Sequence, residues 1–152
     1  VDLVVIGAHL SGQPLNGQLA DRGARLVGEV RTAATYRLWA LDTRPPKPGL
    51  LRVRSGGAAV RGEHWRLPVA AFGALVAALP APMTIGSVEL DDGRALPGFL
   101  VEPSAVEGAP DITAYGGWAA YLAYLEADRP SRSSIRANRA ATAASLPWSV
   151  GT

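Results

Sequence analysis

Two glycine-centred linkers, Ser55-Gly56-Gly57 and Asp91-Asp92-Gly93-Arg94, each lie between runs of strand-forming residues. They commit the middle of the chain to β-hairpins. Leu50–Arg54 and Ala58–Leu67 flank the first, and Met83–Leu90 and Ala95–Glu102 flank the second. Three more runs read as strands. Val1–Ile6 is almost continuously apolar, as expected of a strand buried on both faces. Arg25–Thr32 follows, and Thr35–Leu41 alternates Tyr36, Leu38 and Ala40 against Arg37, Trp39 and Leu41. Pro45-Pro46-Lys47-Pro48-Gly49 has three prolines in four residues and reads as an extended loop outside regular pairing.

Helices are fewer. Asn16 is placed to cap a short helix over Gly17–Arg22 that stops at Gly23. Pro68 suits a first helical turn, with Val69, Phe72, Leu75, Val76 and Leu79 on one face, and Pro80-Ala81-Pro82 ends that helix. A last helix is expected across Tyr115–Ala127, where Trp118, Tyr121, Leu122 and Leu125 keep helical spacing. The sum is an α+β fold: a small mixed, mostly antiparallel sheet, barrel-like, with two to three helices.

The 152 residues, 48% hydrophobic and 18% charged, suffice for one folded core. The expected division is a domain over 1–127 and an Arg/Ser/Ala-rich tail over 128–152. That tail carries +3, leaving the other 127 residues at −1, so the body lacks the basic stripe of a nucleic-acid binder. Deleting 129–152 is expected to leave the fold intact. The absence of Cys removes disulfides, thiol nucleophiles and thiolate metal sites. Two histidines, His9 and His64, argue against a His-built metal centre, and no cofactor is expected. No apolar run is long enough for a membrane span and no signal peptide precedes the first strand, which predicts a cytoplasmic location without a membrane partner. Val1 in place of an initiator Met reads as a fragment or a trimmed chain.

Chemistry is concentrated after the first strand. In Gly7-Ala8-His9-Leu10-Ser11-Gly12, small residues let several backbone N–H groups converge on a carboxylate or oxyanion. Gly7 and Gly12 permit unusual dihedrals, while His9 and Ser11 add side-chain donors. A tight turn in which His9 only satisfies a backbone group is the competing reading. The loop lacks the Lys-Ser/Thr ending of a phosphate loop, and no Gly-x-Ser-x-Gly elbow occurs. His64 reads as an ordinary strand histidine sharing a face with Val60 and Arg66, with Trp65 and Glu63 on the other. Glu63, Glu89 and Glu102 are taken as solvent-facing.

Five strings occur in order: Gly-Ala-His-Leu-Ser-Gly with Pro-Leu-Asn at 7–16, Ala-Thr-Tyr-Arg-Leu-Trp-Ala-Leu at 34–41, Pro-Pro-Lys-Pro-Gly-Leu at 45–50, Gly-Phe-Leu-Val-Glu at 98–102, and Asp-Ile-Thr-Ala-Tyr-Gly-Gly-Trp at 111–118. Together they resemble the C-terminal domain of allophanate hydrolase across residues 3–125. The resemblance implies a gamma-glutamylcyclotransferase-like fold and a place in urea degradation. A separate amidase domain makes N-carboxycarbamate, and this domain is implicated in its decarboxylation. No amidase signature is present, so the chain is not expected to hydrolyse allophanate itself. Cyclotransferases of this fold use an acid shortly after the helix ending here at Leu79, and none occurs before Glu89.

The expected site therefore has His9 as the catalytic group, protonating or orienting the substrate. Gly7, Ala8, Leu10, Ser11 and Gly12 form the carboxylate cradle, with Asn16, Tyr36 and Lys47 as further binding residues. The partners implied are a small dicarboxylate-like substrate, an amidase domain in the same or another chain, and a second copy in a homodimer. Two other readings compete: a non-catalytic dimerising or stabilising module for an amidase, and a free-standing cyclotransferase-like enzyme or binder.

Overall fold

A computed structural model of the chain describes residues 1–128. Along it run β1 (Asp2–Val5), α1 (Gly17–Ala20), β2 (Arg25–Arg31), β3 (Tyr36–Leu41), β4 (Lys47–Arg52), β5 (Arg61–Arg66), α2 (Val69–Ala77), β6 (Met83–Glu89) and β7 (Ala95–Val101). Two 3₁₀ turns, Pro103–Val106 and Thr113–Tyr115, precede a helix, α3, over 118–128. Five strands form one sheet in the order β2-β5-β1-β7-β6, and β3 pairs with β4 in a second. β1 and β7 are parallel and every other strand pair is antiparallel, so the sheet is mixed as expected.

β1 sits at the centre of the larger sheet because both its faces are apolar. Leu3 and Val5 join Leu19, Trp65, Leu67, Leu75 and Phe99 in one buried cluster. Val4 points the other way and is also fully buried. Burying each such aliphatic side chain contributes roughly 1.5–3 kcal/mol. α2 covers the cluster with Ala71, Phe72 and Leu75, and Leu79 just beyond the helix adds to the cover. Val69 and Val76, expected on that face, are exposed. They stand at the edge of a narrower apolar stripe than the sequence suggested. Pro68 is the residue before the helix rather than its first turn, and α1 ends at Ala20 rather than Arg22.

Two expectations are corrected by pairing. Ser55-Gly56-Gly57 is not a hairpin: β4 pairs with β3, whereas β5 pairs with β1 and β2. The linker therefore crosses between sheets. Pro45–Gly49 is not wholly an irregular loop, since β4 begins at Lys47 with Pro48 opposite Ala40. The Ala40 N–H turns away from β4 to donate to Pro110 O at 2.9 Å. Ala40 and Pro48 thus form a non-hydrogen-bonded pair, in which the amide hydrogen proline lacks would not be used. The Asp91–Arg94 hairpin is as expected, with Gly93 at φ +88°.

No closed barrel forms among the described residues. The edge strands β2 and β6 meet only where they end, through the Thr32–Leu90 bridge. Ala33 N donates to Glu89 O and Asp91 N to Arg31 O beside it. The chain divides into two units, Val1–Ala119 and Ala120–Thr152, and the described part of the second is helical residues 120–128. The expectation of a dispensable tail over 129–152 lies outside the described residues. No described helix is long and apolar enough to cross a membrane.

Candidate functional site

The chain leaves β1 through Ile6 into a tight turn, closed by Leu10 N donating to Gly7 O at 3.0 Å. Ala8 and His9 are its central residues. Ala8 O accepts Leu15 N at 2.8 Å, and His9 O accepts the Asn16 side-chain amide at 2.9 Å. Both carbonyls are thus spoken for, while the Ala8 and His9 N–H groups have no hydrogen-bond acceptor among the described residues. Ser11 is different. Its N–H and its hydroxyl both donate to Glu63 Oε1, at 2.7 and 3.2 Å. Trp65 Nε1 donates to the same oxygen at 3.3 Å. The loop does hold a carboxylate at this point, and it is the protein's own.

Gly7, Ala8 and His9 line a cavity of about 290 Å³. Gln18, Arg22, Arg44 and Lys47 bring the other polar side chains, and none of the lining residues is acidic. The rest of the wall is apolar, including Leu75 of α2, Leu79 just beyond it, Met83 of β6 and Phe99 of β7. His9 is 6% exposed, and its ring stacks on Phe99 with centroids 4.6 Å apart and planes 10° from parallel. Its Nε2–H donates to Gln18 Oε1 at 2.8 Å. In the neutral ring that leaves the lone pair on Nδ1. Burial pushes the imidazole below its ordinary value of 6.5, the Gln18 hydrogen bond opposes this, and the Lys47 charge adds to the lowering. His9 is therefore a neutral histidine among three cations, Arg22, Arg44 and Lys47.

Of the residues singled out from sequence, Gly7, Ala8, His9 and Lys47 meet at this cavity. Leu10, Ser11, Gly12, Asn16 and Tyr36 are not among its lining residues. Leu10 packs against the apolar cluster, and Gly12 is an exposed turn residue at φ +78°. Asn16 makes no capping bond with its side chain, which holds the His9 carbonyl instead. Tyr36 is fully buried, with its hydroxyl oxygen accepting Glu89 N at 2.9 Å and Arg52 Nη2 at 3.1 Å. It ties the two sheets together rather than facing the cavity. Glu63, expected in solvent, anchors the loop. His64 is 3% exposed, its Nε2 2.8 Å from Asp2 Oδ1, an oxygen that Arg66 Nε also reaches at 3.0 Å.

Gln18, Arg22, Arg44 and Phe99 were not anticipated. Arg44 had a legible signal, since it and Lys47 bracket two prolines that hold both cations on one rigid segment. Gln18 and Phe99 had none, because only the fold brings them to His9. Among the described residues no group of three His, Cys, Asp or Glu is gathered as for a metal.

Residues 1–123 match the family model described as the allophanate hydrolase C-terminal domain. The chain is 38% identical over 140 residues to urea amidolyase of Saccharomyces cerevisiae, covering 89% of this chain and 8% of that protein. It thus spans under a tenth of the length of the curated relatives it matches. Among solved structures, Kluyveromyces lactis allophanate hydrolase aligns with a TM-score of 0.79 and 38% identity, over 82% of this chain and 21% of that one. A uropathogenic E. coli-specific protein aligns with a TM-score of 0.75 and 40% identity, over 80% of this chain and 94% of that one.

Proposed function

The chain belongs to the allophanate hydrolase C-terminal domain family, and we propose that it binds N-carboxycarbamate and promotes the loss of carbon dioxide from it. An allophanate-hydrolysing amidase would supply that dianion, as a step of urea breakdown. The observation that carries this reading is the cavity itself: three cations, no acid, and two turn N–H groups beside a buried neutral histidine. Opposite charge and free backbone donors favour a small dianion. A purely stabilising module has no use for an open cationic cavity.

The chemistry is short. The bond between nitrogen and one carboxylate carbon breaks, and carbon dioxide leaves. The electron pair stays on nitrogen, which takes a proton and leaves as carbamate. That proton has to be delivered where the charge develops. Buried His9, with its pKa lowered, lacks it when neutral. A bound dianion offsets the burial penalty and favours the imidazolium, whose new Nδ1–H becomes the donor. Gln18 keeps the ring oriented from Nε2, and Phe99 holds its plane. Binding of the dianion and uptake of a proton by His9 are thereby coupled.

The test generates N-carboxycarbamate in place with an allophanate-hydrolysing amidase and follows carbon dioxide release with and without this chain. Faster release, lost in His9→Asn, is the expected result. Release at the amidase-alone rate overturns the proposal. Malonate, a stable dicarboxylate of similar geometry, should bind with uptake of a fraction of a proton at neutral pH, read by calorimetry in buffers of different ionisation enthalpy.

A further inference from the structure

The cavity is larger than the dianion just proposed and its two sides differ. At about 290 Å³ it has room for roughly ten waters, and a seven-atom dianion displaces on the order of half of them. Every charged or hydrogen-bonding side chain on its wall comes from two segments, residues 9–22 and 44–47. The stretch of wall from Leu75 through Ala78, Leu79 and Pro80 to Met83 contributes none. That wall is also the C-terminal end of α2, whose helix closes at Ala78. A helix C-terminus presents partial negative charge and repels a carboxylate. The dianion is thus held to the His9–Lys47 side, and the space against α2 is left for something uncharged.

We infer that the site accepts dicarboxylates bearing an apolar substituent on the atom between the two carboxylates. The carboxylates lie by Ala8, His9 and the cations, and the substituent lies against Leu75, Leu79 and Met83. This rests on the reading of the cavity as a dianion site and adds its substrate class: N-alkyl carboxycarbamates, and 2-alkyl malonates as their stable stand-ins. Phe99 joins the two regions, since it stacks on His9 and belongs to the cluster that Leu79 and Met83 pack against. A flexible alkyl chain gives up rotamer freedom on binding, which reduces the gain from its burial. Each methylene buried still tightens binding by about fourfold.

The experiment titrates the chain with malonate and with n-butylmalonate by calorimetry. Butylmalonate is expected to bind at least about tenfold more tightly. Ala78→Phe, at an exposed position opening onto the apolar wall, should erase that advantage. Equal or weaker binding of butylmalonate, with malonate bound normally, overturns the inference and leaves the dianion site standing. Binding of neither ligand overturns both. The wild-type comparison decides the matter even if Ala78→Phe does not fold, and retention of the butylmalonate advantage in a folded Ala78→Phe also counts against it.

Discussion

Gly7→Ala should damage this protein for a reason different from Gly12→Ala, although both glycines belong to one short loop. Gly7 has no left-handed φ, so alanine there meets no intrinsic backbone penalty. The obstacle is outside the loop. A methyl built on Gly7 would lie 2.5 Å from Pro48 Cγ and closer still to Pro48 Cδ. Carbon atoms pack at about 3.5–4.0 Å, so roughly 1 Å or more of separation must be found. Pro48 has no rotamer by which to retreat, and β4 is fixed by its pairing with β3. Overpacking of this kind costs about 1–3 kcal/mol. In a domain of this size that lowers Tm by roughly 3–15 °C. Because the turn and Pro48 both line the cavity, pushing them apart should also weaken malonate.

Gly12 gives the contrast. Nothing lies within 4 Å of a methyl there, and the difficulty is φ +78°, which costs alanine about 1–2 kcal/mol. Asparagine tolerates that region, so Gly12→Asn should recover much of what Gly12→Ala loses. Gly7→Asn should be worse than Gly7→Ala. Malonate affinity should be unaffected at Gly12, outside the cavity lining. Thermal melts and malonate titrations of the four variants separate the cases. A Gly7→Ala protein melting within a degree of wild type with unchanged affinity would refute the contact between turn and strand.

Glu63→Gln keeps the acceptor for Ser11 and Trp65 but removes its charge, so urea denaturation should show a loss of about 1 kcal/mol and malonate should bind a few-fold more weakly. Asp2 is held below the ordinary carboxylate value of 3.8, first by its hydrogen bond with His64 and then by Arg66. A depressed acid stabilises above its unfolded pKa and loses that contribution as pH falls through the lowered folded one. Asp2→Asn should therefore flatten the acid limb of Tm against pH below about 4, and coincident limbs would exclude the pairing. Pro80, Met83 and the rest of the cavity wall offer no carboxylate to act as base on a gamma-glutamyl amine. Incubation with gamma-glutamyl-alanine should thus yield no 5-oxoproline above the blank, and turnover would restore the cyclotransferase reading.

What the sequence made legible was whatever local chemistry decides. Asp91–Arg94 could be read because both strands of that hairpin adjoin their own turn. Ser55-Gly56-Gly57 carried the same signal and meant something else, because a methyl on Gly57 would strike the Thr35 backbone at 2.7 Å. There glycine serves a close crossing between sheets, not a hairpin. Pro48 misled in the opposite direction: whether proline breaks a strand depends on which way the missing N–H would point, and Pro110, sixty-two residues on, fixes that. His9 stood out by residue type and Lys47 through the family resemblance, but the partners that define their chemistry come from Gln18, Arg44 and Phe99. β5 shows why pattern alone could not find the loop anchor. Glu63 and Trp65 share one face and His64 and Arg66 the other, so each face carries one ring and one charge. Hydrophobic alternation gives no preference between two such faces. Both rings are buried, and the two faces are told apart by what meets them: Ser11 donates twice to Glu63 on one side, and Asp2 bridges His64 and Arg66 on the other. A strand of this kind is oriented by its polar partners, and the carboxylate that anchors the loop after β1 is legible only once those partners are in place.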